Sequence, residues 1–529
     1  MIDATLARLT ASGRLGSVNG ILLVFAGWEL SARALSGAFL LASPTEVLAY
    51  LAQNPGLMGR ALAATLAEAA AGFVIGNLAA MALALIVILT PRLERTIAAL
   101  ALLVFCLPLV ATGPILRVLF GPGVGPQVTL AALAVYYTTF VPLLVGLRAA
   151  PATWFDVIRS YGRGRWTELV QVRAAAALPY LVAGLQIAAP AAILGAMVGE
   201  FTGAERGLGV LTIRAMRGLD VPGTWSLATL AAGVSVAAYA GVGWIGRQLS
   251  SGPPPVILAA PVSPGGAVGP RRVAGGFAHL ALIAVLVLAL WTGLMDLFGL
   301  NPFFAKRPDD VWRFLVTAPQ AAEHRATLFW ALAETMAVTL PGYFAGLALG
   351  ALIAAAIVLV PPIAAVAMPV AVALRSVPIV TTAPLIILLL GRGALGTITL
   401  VAVMIFFPTF VACLHGLRQA PGQVIDVFDS YASSRLQRLM LAQVPAMLPA
   451  FFAAARMAVP AAILAATVVE WLATGIGVGS LMALSASLSD YGMLWSAVAV
   501  VSLTACTLYA GVARLERAVL AVYASEQFA

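Results

Sequence analysis

Charge is scarce in this sequence. Only 10% of its 529 residues are Asp, Glu, Lys or Arg, against 62% apolar ones, where a soluble chain carries about one-quarter charged residues. That shortage excludes a string of soluble domains and a disordered chain alike. Lysine is almost missing: Lys306 is the only one, and Arg307 follows it. No Gly-Lys-Ser/Thr phosphate loop can therefore be written, and ATP has no Walker A site in this chain. His279, His324 and His415 stand far apart in sequence with no paired acidic or cysteine ligands, so none of them has a metal-ligand spacing. Cys106, Cys413 and Cys506 all fall inside apolar runs, where they act as small hydrophobes and build no disulfide framework. No catalytic constellation is present.

Long apolar runs are present instead, and mean hydropathy is +1.02. The runs approach the roughly 20 residues that a helix needs to cross a bilayer. The net charge of +9 comes from arginines spread over the short segments between those runs, which fits membrane orientation and not nucleic-acid binding.

A shift of 270 residues superposes the two halves of the chain without a gap from about Arg60 to about Ser250. VPLLVGLRAAP from Val141 and VACLHGLRQAP from Val411 share seven of eleven residues. AAPAAILGAMVGE from Ala188 and AVPAAILAATVVE from Ala458 share nine of thirteen. The chain is a tandem duplication. Residues 1–250 form the first repeat and 277–529 the second, and the Pro/Gly-rich stretch 251–276 reads as an extended linker.

Apolar spans in the first copy cover about 20–38, 62–90, 96–119, 127–148, 179–199 and 224–246. The fold expected is an all-α integral membrane protein with about twelve transmembrane helices in two parallel six-helix repeats. Counting arginines places both termini and the linker in the cytoplasm. The first span, interrupted by Glu29 and Arg33 with no cleavage pattern after it, reads as permanent and not as a signal peptide.

The longest inner loop of each copy, about 149–178 and 419–448, is also its most polar stretch. Trp166, Leu169 and Val170, matched by Leu436, Leu439 and Met440, have the i, i+3, i+4 spacing of a short amphipathic helix. Such a helix suits either a cleft in a soluble partner or the headgroup layer of the membrane. Each loop carries an acidic residue, a small residue six positions on, an aliphatic residue ten further and then Leu-Pro. These are Asp156, Gly162 and Val172 in the first copy, and Asp426, Ala432 and Ala442 in the second. The pattern resembles the EAA loop of ABC importer permeases. LPYLVAGLQIAAPAAILGAMVGEFTGAERGLGVL from Leu178 and WLATGIGVGSL from Trp471 resemble the nitrate, sulfonate, taurine and bicarbonate branch of these binding-protein-dependent inner-membrane components. Aspartate replaces glutamate in both loops, Ala432 replaces the glycine, and Ala174-Ala175 replaces a first Leu-Pro.

The resemblance implies a type I ABC importer permease fold in a multi-pass protein of the inner (plasma) membrane. It implies two ABC ATPase subunits, as a homo- or heterodimer that binds ATP and Mg, and a periplasmic or lipid-anchored solute-binding protein. This chain itself would hydrolyse nothing and hold no cofactor or metal. Asp156, Arg159, Tyr161, Gly162, Arg165 and Trp166, with Asp426, Tyr431, Ala432, Arg435 and Leu436, are then the expected coupling residues. Trp166 and Leu436 would be apolar anchors and Arg165 and Arg435 rim contacts. A secondary transporter of the six-plus-six parallel-repeat type is the alternative, and it calls for more ionisable residues inside the spans than the sequence offers.

Glu200 and Glu470 superpose under the shift, each ending a fifth span before a glycine-containing turn. They read either as an outer gate on the translocation pathway or as carboxylates capping the next short helix. Glu68 and Glu334 lack counterparts and read as solvated interfacial residues. Pro190 and Pro460 lie inside the fifth spans, and Pro108, Pro114, Pro378 and Pro384 inside the third, as static kinks or as hinges.

Overall fold

In lipid a backbone must satisfy its own amides, so an apolar chain of this composition has the helix as its economical solution. The computed structural model describes residues 22, 25–35, 37, 41–121, 123–249, 270–364, 367 and 379–523, and no strand occurs among them. In the first copy the helices are α1 (Pro44–Gln53), α2 (Pro55–Leu89), α3 (Glu94–Phe105), α4 (Leu109–Phe120) and α5 (Gly125–Gly146). They are followed by α6 (Ala152–Ser160), α7 (Arg165–Phe201), α8 (Leu208–Arg217) and α9 (Val221–Leu249). The second copy contains α10 (Pro270–Leu297), α11 (Ala321–Leu359), α12 (Ile379–Leu390), α13 (Ala394–Arg418) and α14 (Gly422–Ser430). It ends with α15 (Arg435–Leu472), α16 (Gly477–Ser487) and α17 (Tyr491–Tyr523).

Nine helices among the described residues are long and apolar enough to cross a membrane, and the pair around Cys106 makes a tenth. The expected first span lies partly outside the described residues, as do residues 368–378 of the second copy's third span and most of the expected linker. Among the described residues the helix α10 already includes Pro270, inside the stretch read as linker.

The third span is not the single helix expected. It bends by 92° between α3 and α4, because Pro108 takes extended backbone (φ −70°, ψ 103°) and Cys106 ends the preceding helix. By contrast Pro114, Pro190 and Pro460 sit inside unbroken helices. Pro378 lies outside the described residues.

Close helix packing assembles each copy. An added Cβ on Gly76 of α2 would lie 2.6 Å from the carbonyl oxygen of Ala132 on α5, and one on Gly346 would lie 2.7 Å from that of Ala402 on α13. Glycine at these matched positions lets the backbones approach, as small residues do between membrane helices. The two copies then exchange their broken spans: α4 packs against α15, α16 and α17, and α12 packs against α7, α8 and α9. One buried core runs through both copies, joining Val110 and Ala111 to Ala462 and Ala466.

Candidate functional site

One end of the bundle carries α6 and α14 with the turns that follow; it is called the loop end here. Each of these helices closes with a Schellman arrangement. The Gly162 N–H donates to Arg159 O (2.9 Å) and the Arg163 N–H to Ile158 O (3.2 Å). In the second copy Ala432 donates to Asp429 O and Ser433 to Phe428 O, both at 3.0 Å. The closing residue must be left-handed, and Gly162 (φ 65°) and Ala432 (φ 51°) both are. Replacement of the glycine by Ala432 has therefore kept the turn at an energetic cost, since an L-residue there is strained by about 1–2 kcal/mol. Ala432→Gly is expected to stabilise the protein by roughly 0.5–1 kcal/mol, and Gly162→Ala to destabilise it similarly. Thermal unfolding of the purified protein reads both.

A charged pair fastens each loop helix to the span that follows. Arg159 Nε lies 2.9 Å from Glu168 Oε1, and Arg438 pairs with Asp429. Asp156 sits 3.9 Å from Arg159. The span itself begins with a π-helical turn, Glu168–Arg173 or Leu439–Gln443, which turns Leu169 and Leu439 into the core. The expected amphipathic helix thus has two apolar rows. The inner row is buried, while Trp166 and Val170 in the first copy, and Leu436 and Met440 in the second, face outward. Trp154, Val157 and Tyr161 of the first copy are exposed beside them, as are Val424, Val427 and Tyr431 of the second. Asp156, Asp426, Arg165 and Arg435 are exposed on the same faces, and Arg435 Nη1 donates to Leu359 O at 3.4 Å. All eleven residues expected in coupling therefore gather at the loop end, in two exposed patches.

At the opposite end Glu200 and Glu470 are buried. Thr65 donates to Glu200 Oε1 (2.5 Å), Gly209 N donates to Oε2 (2.5 Å), and Leu208 N donates to the Thr65 hydroxyl (2.8 Å). The second copy repeats this clasp. Thr335 and Gly479 N donate to Glu470 Oε2 at 2.9 and 2.8 Å, and Val478 N donates to Thr335 at 2.9 Å. Each carboxylate thus closes the N-terminus of the next short helix, α8 or α16, where free N–H groups favour an anion. Gly207 (φ 126°) precedes α8 and Gly477 (φ 86°) opens α16, and a Cβ on either would collide with the carboxylate. The threonines escaped the sequence reading, although Thr65 and Thr335 superpose under the same shift that matches the glutamates.

Glu68 departs from the interfacial role expected of it. It is 6% exposed, its carboxyl lies against that of Glu200, and its Oε2 has no hydrogen-bond partner. Glu334 is exposed and accepts from Gly477 N at 2.9 Å. The two residues stand at different offsets from the shared threonine, Glu68 three positions after Thr65 and Glu334 one before Thr335.

Between the two ends, where the copies meet, lies a pair that sequence reasoning passed over. Arg456 Nε and Glu516 Oε2 are 2.8 Å apart, with side chains only 8% and 6% exposed. The Arg456 guanidinium stands 5.9 Å from the Tyr509 ring centroid, and Met457 packs on the buried first-copy cluster around Tyr137. The repeat offered the signal: the shift places neutral Gln186 and Gly246 opposite these charges. Among the described residues no group of three metal-ligating side chains occurs.

Comparison with known proteins agrees with this architecture. The family model for the inner membrane component of binding-protein-dependent transport systems matches twice, over residues 72–251 and 346–520. The riboflavin transport system permease protein of Chloroflexus aurantiacus is 34% identical over 43% of this chain and 86% of its own length. The formylaminopyrimidine transport permease protein of Halalkalibacterium halodurans is 29% identical over 39% of this chain and 82% of its own. The taurine transport system permease protein of Escherichia coli is 25% identical over 45% and 86%. Each relative is about one copy long, which is what a tandem fusion of two permeases produces. The chain belongs to the binding-protein-dependent transport system inner membrane component family, as an all-α membrane permease with both repeats in one polypeptide.

Proposed function

We propose that the chain forms the whole translocation pathway of an ATP-driven importer, with one half-permease on each side of a single path. Two ATPase subunits, carrying ATP and Mg, dock on the two patches at the loop end. A solute-binding protein delivers cargo at the opposite end, and the termini and loop end lie in the cytoplasm. The loops correspond to the EAA loops of the family. The observation that carries this reading is the pair of exposed apolar patches at matched positions on short helices, each joined by a charged pair to a membrane span. Force applied to α6 or α14 passes through the charged pair into α7 or α15, and those spans line the contact between the copies. The cargo proposed is a small nitrogen heterocycle of the vitamin-precursor kind, on the strength of relatives named for formylaminopyrimidine and riboflavin. Competition of each solute against labelled uptake in proteoliposomes tests this choice.

Arg165→Ala with Arg435→Ala tests the docking role. Each arginine is exposed and supplies a charge-assisted hydrogen bond worth roughly 1–3 kcal/mol to a partner. The double variant is expected to insert normally and to lose ATP-driven uptake by at least about tenfold. Wild-type uptake would defeat the assignment.

A further inference from the structure

Two large apolar side chains of the second copy have glycine opposite them in the first. The repeat shift sets Gly59 against Phe329 and Gly233 against Leu503, and Phe329 and Leu503 are both exposed on their spans. With Leu288, Trp312 and Leu328 they line a groove of about 580 Å³ between α10, α11 and α17, in which Arg325 is the only charged residue. The helix α11 runs from Ala321 to Leu359, whose carbonyl Arg435 reaches at the loop end, so Arg325 marks the mouth of the groove at the opposite end. From there to Leu332 the groove follows α11 for about 10 Å.

The mouth is braced. The short helix Pro308–Trp312 continues as a π-helical turn, Arg313–Thr317, and α11 takes up carbonyls that this helix end leaves over. His324 Nδ1 lies 3.1 Å from Phe314 O, and Arg325 Nη1 donates to Leu315 O at 2.6 Å. That bond fixes the guanidinium and uses one of its five N–H donors. Arg307 and Arg313 close by are paired with aspartates, whereas Arg325 has no ion pair among the described residues. The helix α10 is held at this level by Trp291, stacked on Trp495 of α17 with centroids 5.4 Å apart. From Leu280 to Leu297 only Met295 is buried, so toward the loop end α10 stays off the rest of the copy.

A fixed, uncompensated cation over an apolar trough suits an amphiphile with an anionic head. Trp312 is exposed beside it, as indoles are where headgroups meet hydrocarbon. Helices gain no hydrophobic energy by closing such a gap themselves, because lipid chains are as apolar as the side chains. The geometry points to one bound phospholipid, its phosphate on Arg325 and an acyl chain along Leu328, Phe329 and Leu503, filling the space beside α10. The glycines deny the first copy these walls, so one lipid binds per chain.

The full chain, stripped of lipid in detergent, is titrated with phosphatidylglycerol, phosphatidylcholine and diacylglycerol of the same acyl chains, and intact mass spectra count the lipids retained. One phospholipid is expected to survive activation that removes all others, with either headgroup, and diacylglycerol to bind at least about tenfold more weakly. Ala499→Phe puts a ring into the groove and is expected to abolish retention. Arg325→Ala should weaken it about tenfold, and Arg325→Lys should recover most of the loss. Thermal unfolding of each variant shows whether it is folded, and the arginine series decides the matter should Ala499→Phe fail to fold. No retained phospholipid, diacylglycerol bound as well as phospholipid, a lipid indifferent to Ala499→Phe and Arg325→Ala, or a mass of two chains that share this face would each overturn the assignment.

Discussion

Arg456→Met is expected to destabilise the protein by about 3–5 kcal/mol, because it leaves Glu516 buried without its counter-charge. Both side chains are under a tenth exposed, so water cannot take over the role of the missing partner. Glu516→Leu is expected to cost a similar amount, through the stranded guanidinium. Both replacements together should recover to within about 1–2 kcal/mol of wild type, since a well-packed apolar pair of similar volume avoids the desolvation that the ion pair requires. The first copy already holds the neutral pair Gln186 and Gly246 at these positions, so the architecture tolerates loss of both charges. Thermal unfolding in detergent measures all three variants, and uptake in proteoliposomes adds a second readout. A double variant that folds well but transports poorly would place the pair on the solute path; one that does neither would show that the pair is needed for assembly of the two copies.

That pair marks a limit of what the sequence discloses. Its apolar runs located the second, fourth, fifth and sixth spans, because a helix long enough to cross a bilayer leaves a continuous hydropathy signal. The third span read as one run, since hydropathy records composition and not direction. The break at Cys106–Pro108 depends on extended backbone at Pro108, while Pro190 and Pro460 lie in unbroken helices. A proline alone does not say which of the two it will do. The loops stood out in the sequence because Asp156, Gly162 and Leu178-Pro179 stand at recognisable spacings. Ala432 looked like a defect in that pattern, and its left-handed backbone shows the same turn built with a strained residue. The exchange of signs between the pairs Arg159–Glu168 and Asp429–Arg438 was written in the repeat all along. It becomes meaningful only when the paired positions are seen to touch across a turn.

The other large effect is expected at the exposed apolar rows of the loop end, where the ATPase is proposed to dock. Trp166→Ala together with Leu436→Ala should leave folding almost unchanged and remove most ATPase binding. Trp166 is 72% exposed and Leu436 54% exposed, so neither contributes much to the core, and surface truncations typically shift stability by under about 0.5 kcal/mol. In a complex the balance reverses, because a buried tryptophan anchor is commonly worth about 2–4 kcal/mol. Loss of two anchors, one per loop, is expected to weaken docking by roughly a thousandfold, or about 4 kcal/mol. The ATPase should then fail to copurify, while the unfolding temperature of the membrane chain stays put. Leu169→Ala with Leu439→Ala supplies the contrast. Those leucines are buried, so their truncation should lower stability by about 2–5 kcal/mol each, whether or not a partner is present. If the outward pair behaved like the inward pair, the exposed row would be part of the fold and the loop end would offer no docking surface. If both were silent in stability and in binding, the headgroup layer of the membrane would be the better home for this helix.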